Sequence, residues 1–121
     1  MPIVDVEMVC PAAESAQLPN LDALASALGH AFGTPPGRTW VRMRTLDASR
    51  YAENDAPVAQ GELPMFVTVM HAHPPSGAAL QTEVTAITQT VAAWAGRELT
   101  QVHVTYAPPG AGRQSFGGQP V

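Results

Sequence analysis

The most constraining feature of the chain is a helical stripe in its second half. Leu80, Val84, Ile87, Val91 and Trp94 recur at steps of 4, 3, 4 and 3 residues, the spacing that lines one face of an α-helix. Ser76 can cap this helix and Gly96 can end it. Strand-like runs flank it, PMFVTVMHAH (64–73) before and LTQVHVTYA (99–107) after. The first half has the same order. Residues 2–9 alternate as a strand, with Val4, Val6 and Met8 on one face and Ile3, Asp5 and Glu7 on the other. Asn20 is positioned to cap a helix carrying Leu21, Leu24, Leu28 and Ala31. Gly33 ends it, and Pro35-Pro36 blocks any continuation. RTWVRMRTL (38–46) is the next strand, setting Trp40, Arg42 and Arg44 against Val41 and Met43.

The two halves also align by residue. PIVDVEMVCP (2–11) lies over MFVTVMHAHP (65–74), an offset of 63, and TWVRM (39–43) over TQVHV (100–104), an offset of 61. A short loop deletion absorbs the difference, so His103 falls on the place of Arg42 and Thr105 on that of Arg44. The chain is read as a single 121-residue domain built from duplicated β-α-β units, one at about 2–46 and the other at about 64–121, joined by a polar loop, 47–63.

Right-handed crossovers place both helices on one face of a four-stranded mixed sheet, an α/β sandwich. Val4, Val6, Val41, Met43, Val67, Val69, Val102 and Val104 then face the helices. The far face carries Ile3, Trp40, Phe66 and Met70 beside Arg42, Arg44, His103 and Thr105. That much apolar surface calls for a partner, most economically another copy of the chain. The expected assembly is a homo-oligomer.

Composition narrows the function classes. The formal charge is −4 and there is no run of Lys or Arg, which argues against nucleic acid and anionic membranes as partners. No apolar run is long enough to span a bilayer. The single cysteine, Cys10, cannot form an internal disulfide or a Cys-based zinc site. No signal-like segment opens the chain, so the expected location is cytoplasmic. His71 and His73 form a His-x-His pair with no evident third ligand, and no metal or other cofactor is expected.

Three stretches carry a resemblance: MPIV at the start, FGTPPGRTWVRM between the first helix and its following strand, and TQVHVTYAPPGAGRQSFGGQPV at the end. A proline after the initiator methionine, opening a duplicated β-α-β unit, resembles the long members of the tautomerase superfamily. The likeness spans nearly the whole chain. It implies a trimer formed through the far face and edges, and a cofactor-independent isomerase acting on a small enol or 2-keto carboxylic acid. It implies that Pro2, freed by loss of Met1, is the general base. Residue chemistry supports this role independently. An α-amino group has a reference pKa of about 7.7–8.0, and apolar burial or neighbouring cations pull an amine down toward neutrality, where a proton shuttle works best.

Through TWVRM, Arg42 matches the strand arginine that short members use to grip a substrate carboxylate, a task suited to a planar guanidinium. A plain surface or interface ion pair is the competing reading. Arg44, His103, Thr105, His73 and Tyr51 are the candidate substrate-binding residues, with interface packing and loop packing as the alternatives. Phe116 in SFGGQPV is assigned to the tail's grip on a neighbouring subunit. Two other functions stay open: a decarboxylase, hydratase or dehalogenase using a cationic Pro2, and a catalytically silent interaction scaffold if Met1 is retained.

Overall fold

Alternating valines build the sheet that the rest of the molecule is laid upon. The computed structural model describes residues 1–121. Its strands are β1 (Ile3–Cys10), β2 (Trp40–Asp47), β3 (Met65–Met70) and β4 (Val102–Tyr106), in the order β2-β1-β3-β4. β1 runs parallel to β2, β3 parallel to β4, and the two units meet at the antiparallel β1–β3 seam. The helices are α1 (Ala12–Ser15), α2 (Leu21–Phe32) and α3 (Gly77–Ala95). A terminal hairpin, β5 (Ser115–Phe116) and β6 (Gln119–Pro120), turns at Gly117-Gly118. Both glycines have positive φ, as the tight two-residue hairpin turns demand.

One face of the sheet is the core. Val4, Val6, Met8, Met65, Val67 and Val69 are buried under Leu24 and Leu28 of α2 and Ile87 and Val91 of α3. Val41, Met43 and Val104, on the edge strands, are half-buried against the same cluster. The assignment of faces from the alternation therefore holds.

Local signals acted where expected, with two shifts. The Asn20 side chain accepts from the Asp22 N–H at 2.8 Å, and Gly33 closes α2 with φ 69°. Ser76 stands at the N-cap of α3, but its side chain makes no capping bond. Residues 99–101 form a 3₁₀ turn rather than the start of the last strand. Gln101 causes this: its carbonyl oxygen accepts from the Glu98 N–H at 3.2 Å, and its amide donates to the Gly61 carbonyl. The third strand ends at Met70, and past it the tail pairs with the backbone through Gly110 and Ala111.

Strand register corrects the internal alignment. Ile3 pairs with Trp40 and Met65 with Val102, the same 37 residues apart (40 − 3 and 102 − 65), so both strands of a unit share one offset. An offset of 63 carries Pro11 onto Pro74, Leu24 onto Ile87, Leu28 onto Val91 and Gly33 onto Gly96. His103 is then the counterpart of Trp40, and Thr105 that of Arg42. The Thr and Val shared by TWVRM and TQVHV misled the alignment by one pleat repeat, a shift of two residues that leaves every side chain on its face. On the same offset, α1 and α2 together correspond to α3. Pro19 lies within the interruption between the first two (16–20), consistent with proline's missing N–H.

Candidate active site

Pro2 is buried at one end of the sheet, immediately before β1, and its carbonyl accepts from the Trp40 N–H at 3.1 Å. Arg38, just ahead of β2, brings Nη1 within 3.8 Å of the Met1 sulfur. A guanidinium therefore stands at the N-terminus, and sequence reasoning did not select it. Gln114 and Phe116 of the tail reach this end too: Gln114 donates to the Met70 sulfur at 2.8 Å, and Phe116 meets Trp40 edge-on at 5.1 Å. Phe116 thus packs on its own chain's far face.

A polar cluster lies at the same end, on the helix side of the sheet. His71 Nε2 is 3.0 Å from Glu83 Oε2, and both side chains are 14% exposed. The Tyr106 hydroxyl donates to the same Glu83 oxygen. Burial, reinforced by the Glu83 carboxylate, pushes the Tyr106 phenol well above its usual range, so it remains a donor. Phe32 from α2 meets the His71 ring edge-on at 5.2 Å, and Tyr106 stacks on it at 6.1 Å. The signal for this cluster was present in the sequence. Glu83 stands three residues after Leu80 and four before Ile87, a carboxylate within the apolar stripe.

The far face is an ordered grid of side chains. One row runs Arg42, Asp5, Thr68, Thr105, and the next Arg44, Glu7, Phe66, His103. Arg42 is committed to a bidentate pair with Asp5, Nε to Oδ1 at 2.6 Å and Nη2 to Oδ2 at 2.8 Å. The ion-pair alternative for Arg42 is thus realised within one chain. The pair holds the Asp5 carboxyl below its ordinary 3.8, chiefly through the hydrogen bond from Arg42. A carboxyl carbon NMR titration should therefore give Asp5 a midpoint below 3.8. The pair should be intact above that range and lost as pH falls through the depressed value, releasing the guanidinium. A midpoint at or above the ordinary value would show that Arg42 is free in solution.

Arg44 is exposed and makes no ion pair within the chain. His103 is exposed and lies 5.6 Å from the Phe66 ring, which in turn lies 6.1 Å from Tyr51. Tyr51 donates to Glu53 at 2.7 Å, which raises its phenol above the ordinary value. It also lines a cavity of about 580 Å³ with Leu63, Val58 and Pro57. His73 is exposed beyond β3, and Thr105 is exposed in mid-face. No group of three or more His, Cys, Asp or Glu side chains converges as a metal site would require, and no helix is long and apolar enough to cross a membrane.

Within one chain Arg44 and His103 do not meet Pro2. The Arg44–Glu7–Phe66–His103 row stands five residues along β1 from Pro2, about 16 Å at the strand rise. Neither that cavity nor a second of about 460 Å³ over the end of α2 is lined by Pro2, Arg42, Arg44, His103 or Thr105.

No family model and no curated protein matches the sequence. Solved structures do match the fold. A fused 4-OT, a symmetric trimer, superposes with a TM-score of 0.71 at 18% identity, covering 97% of this chain and 93% of that one. A protein designated Pt0534, inactivated by 2-oxo-3-pentynoate, gives 0.72 at 17% identity over 98% and 94%. Macrophage migration inhibitory factor from Trichinella spiralis gives 0.75 at 11% identity over 98% and 99%. At such identities the likeness is one of fold, and it extends over both units from end to end. The chain has the fold shared by the fused 4-OT and macrophage migration inhibitory factor structures, two β-α-β units joined in one sheet.

Proposed function

We propose that the protein is a cofactor-independent keto–enol tautomerase of small enol or 2-keto carboxylic acids, working as a homotrimer. Pro2 is the general base once Met1 is removed. Its secondary amine takes the proton from the enol oxygen and returns it to carbon, so no group is consumed. The observation that carries this reading is the placement of Pro2: buried, opening β1 at the sheet end of this fold, with Arg38 alongside the residue that precedes it. Apolar burial and a nearby cation both favour the neutral amine, the form that accepts a proton.

A trimer explains why the other candidates lie far from Pro2 in one chain. A neighbouring copy would bring its far face to this Pro2, supplying Arg44, whose guanidinium is unpaired, together with His103 and Thr105. Arg42 would join them by exchanging Asp5 for a substrate carboxylate. His73 and Tyr51 would line the approach. The fused 4-OT structure, a symmetric trimer, supports such an assembly here.

Intact mass and turnover test the reading together. Protein made in cells should have the mass of the chain without Met1, and should convert the enol of phenylpyruvate to the keto form, followed by ultraviolet absorbance. Full activity in protein that retains Met1 would exclude Pro2 as the base. Retention of Met1 with no activity would favour an interaction scaffold.

A further inference from the structure

The His71–Glu83–Tyr106 cluster has no part in the chemistry described above, yet strand geometry sets it against Pro2. The β1–β3 register pairs Ile3 with Met70, and one more step sets Pro2 opposite His71. The two carbonyls turn away from each other, that of Pro2 to the Trp40 N–H and that of His71 to the Gly110 N–H. Such a pair is the narrow, non-hydrogen-bonded kind, with Cα atoms about 4.5 Å apart and side chains close. Both residues are in phase with the buried faces of their strands, the face of Val4 and Val69.

We propose that His71 and Glu83 are positioning residues for Pro2: the net charge of this pair, set opposite Pro2 across the seam, governs how readily its amine gives up its proton. The inference rests on the reading of Pro2 as base. The pair carries one negative charge when His71 is neutral and none when it is protonated. Negative charge stabilises the cationic amine, and its cancellation releases the proton. The other groups around His71 do not change the charge of this pair. Tyr106 from β4 stays protonated and donates to Glu83. From α2 the contact is the apolar Phe32, while His30 of that helix lines the outer cavity. Arg38 lies on the Met1 side, and His73 is exposed. Glu83 orients the imidazole through Nε2 and is itself held by Tyr106, so the charge sits at a defined place.

The test reads the amine directly. 2-Oxo-3-pentynoate, an electrophilic ynone acid, adds a neutral secondary amine across its triple bond. The new C–N bond forms at the alkyne and the amine proton ends on carbon, so the protein gains the whole probe mass. The pH midpoint of the labelling rate at Pro2 reports the amine. Glu83→Gln leaves the pair neutral or positive, and His71→Gln leaves the bare carboxylate. The His71→Gln midpoint should therefore lie above that of Glu83→Gln by about half a pH unit or more, with wild type at or between the two. Coincident or reversed midpoints overturn the inference, because loosened packing alone gives the two variants no such order.

A second measurement needs no substitution. Labelling Pro2 replaces its titrating amine with an uncharged enamine nitrogen and adds the probe's carboxylate, and both changes should raise the His71 ring titration followed by NMR, since coupling between charged groups is reciprocal. An unmoved His71 titration overturns the inference even if a variant fails to fold. Absence of any label at Pro2 in processed wild-type protein instead overturns the reading of Pro2 as the base.

Discussion

Replacing Pro2 with alanine is expected to slow ketonisation of phenylpyruvate enol by about 10²–10⁴-fold in kcat/KM, the usual worth of a positioned general base. The variant keeps an α-amino group but loses the ring that aims the nitrogen and restricts its freedom. An uncleaved N-terminal extension should produce a loss at least as large, because it converts the Pro2 nitrogen to an amide with no basic lone pair. The extended chain preserves Pro2 itself, its burial and its carbonyl bond to Trp40, so it separates chemistry from packing. The base works unprotonated, so the wild-type rate should rise with pH and level off above the amine's titration. The alanine variant should lose that plateau height. Equal rates for wild type, Pro2→Ala and the extended chain would remove Pro2 from the mechanism.

The sequence announced its elements more clearly than their pairing, and the reason is physical. Asn20, Gly33, Gly96 and the stripe from Leu80 to Trp94 act within a turn or two of chain, so residue type alone reveals them. Face assignment was legible for the same reason, since a strand alternates at every residue. Register depends on partners far along the chain. The Thr and Val in TWVRM and TQVHV fit either offset equally well, and only the ladder distinguishes them. Arg42 shows the limit at side-chain level. Its type suggested a carboxylate grip and the structure gives it one, but the carboxylate belongs to Asp5, 37 residues earlier. Glu83 was legible in principle, as a charge inside an apolar stripe, but its partners His71 and Tyr106 come from two different strand ends. Arg44 and His103 stand five residues along the sheet from Pro2, with Arg42 and Thr105 between, a spacing that residue type alone does not reveal.

Replacing Arg97 with alanine is expected to lower the free energy of unfolding by about 2–5 kcal/mol, the cost of leaving two part-buried carbonyls without their charged donor. Gly96, with φ 66°, turns the chain out of α3 and directs Arg97 back across the sheet end opposite Pro2. Its side chain is 10% exposed. Nη1 donates to the Leu63 carbonyl at 2.5 Å, and Nη2 to the Val9 carbonyl at 3.0 Å and Glu14 Oε1 at 3.1 Å. One guanidinium thus ties the exit of β1, the approach to β3 and α1 to the end of α3. Alanine would leave those carbonyls without their donor and would open a void beside the buried Val9 and Cys10. Lysine should recover only part of the loss, because a single ammonium cannot reproduce the fork. Glu14→Gln should cost under about 1 kcal/mol, since the Glu14 side chain is 43% exposed. Urea unfolding at one fixed protein concentration measures all three, which keeps any assembly contribution constant. A loss below 1 kcal/mol for Arg97→Ala would mean that water or a neighbouring copy satisfies these carbonyls, and that the junction is held by packing alone.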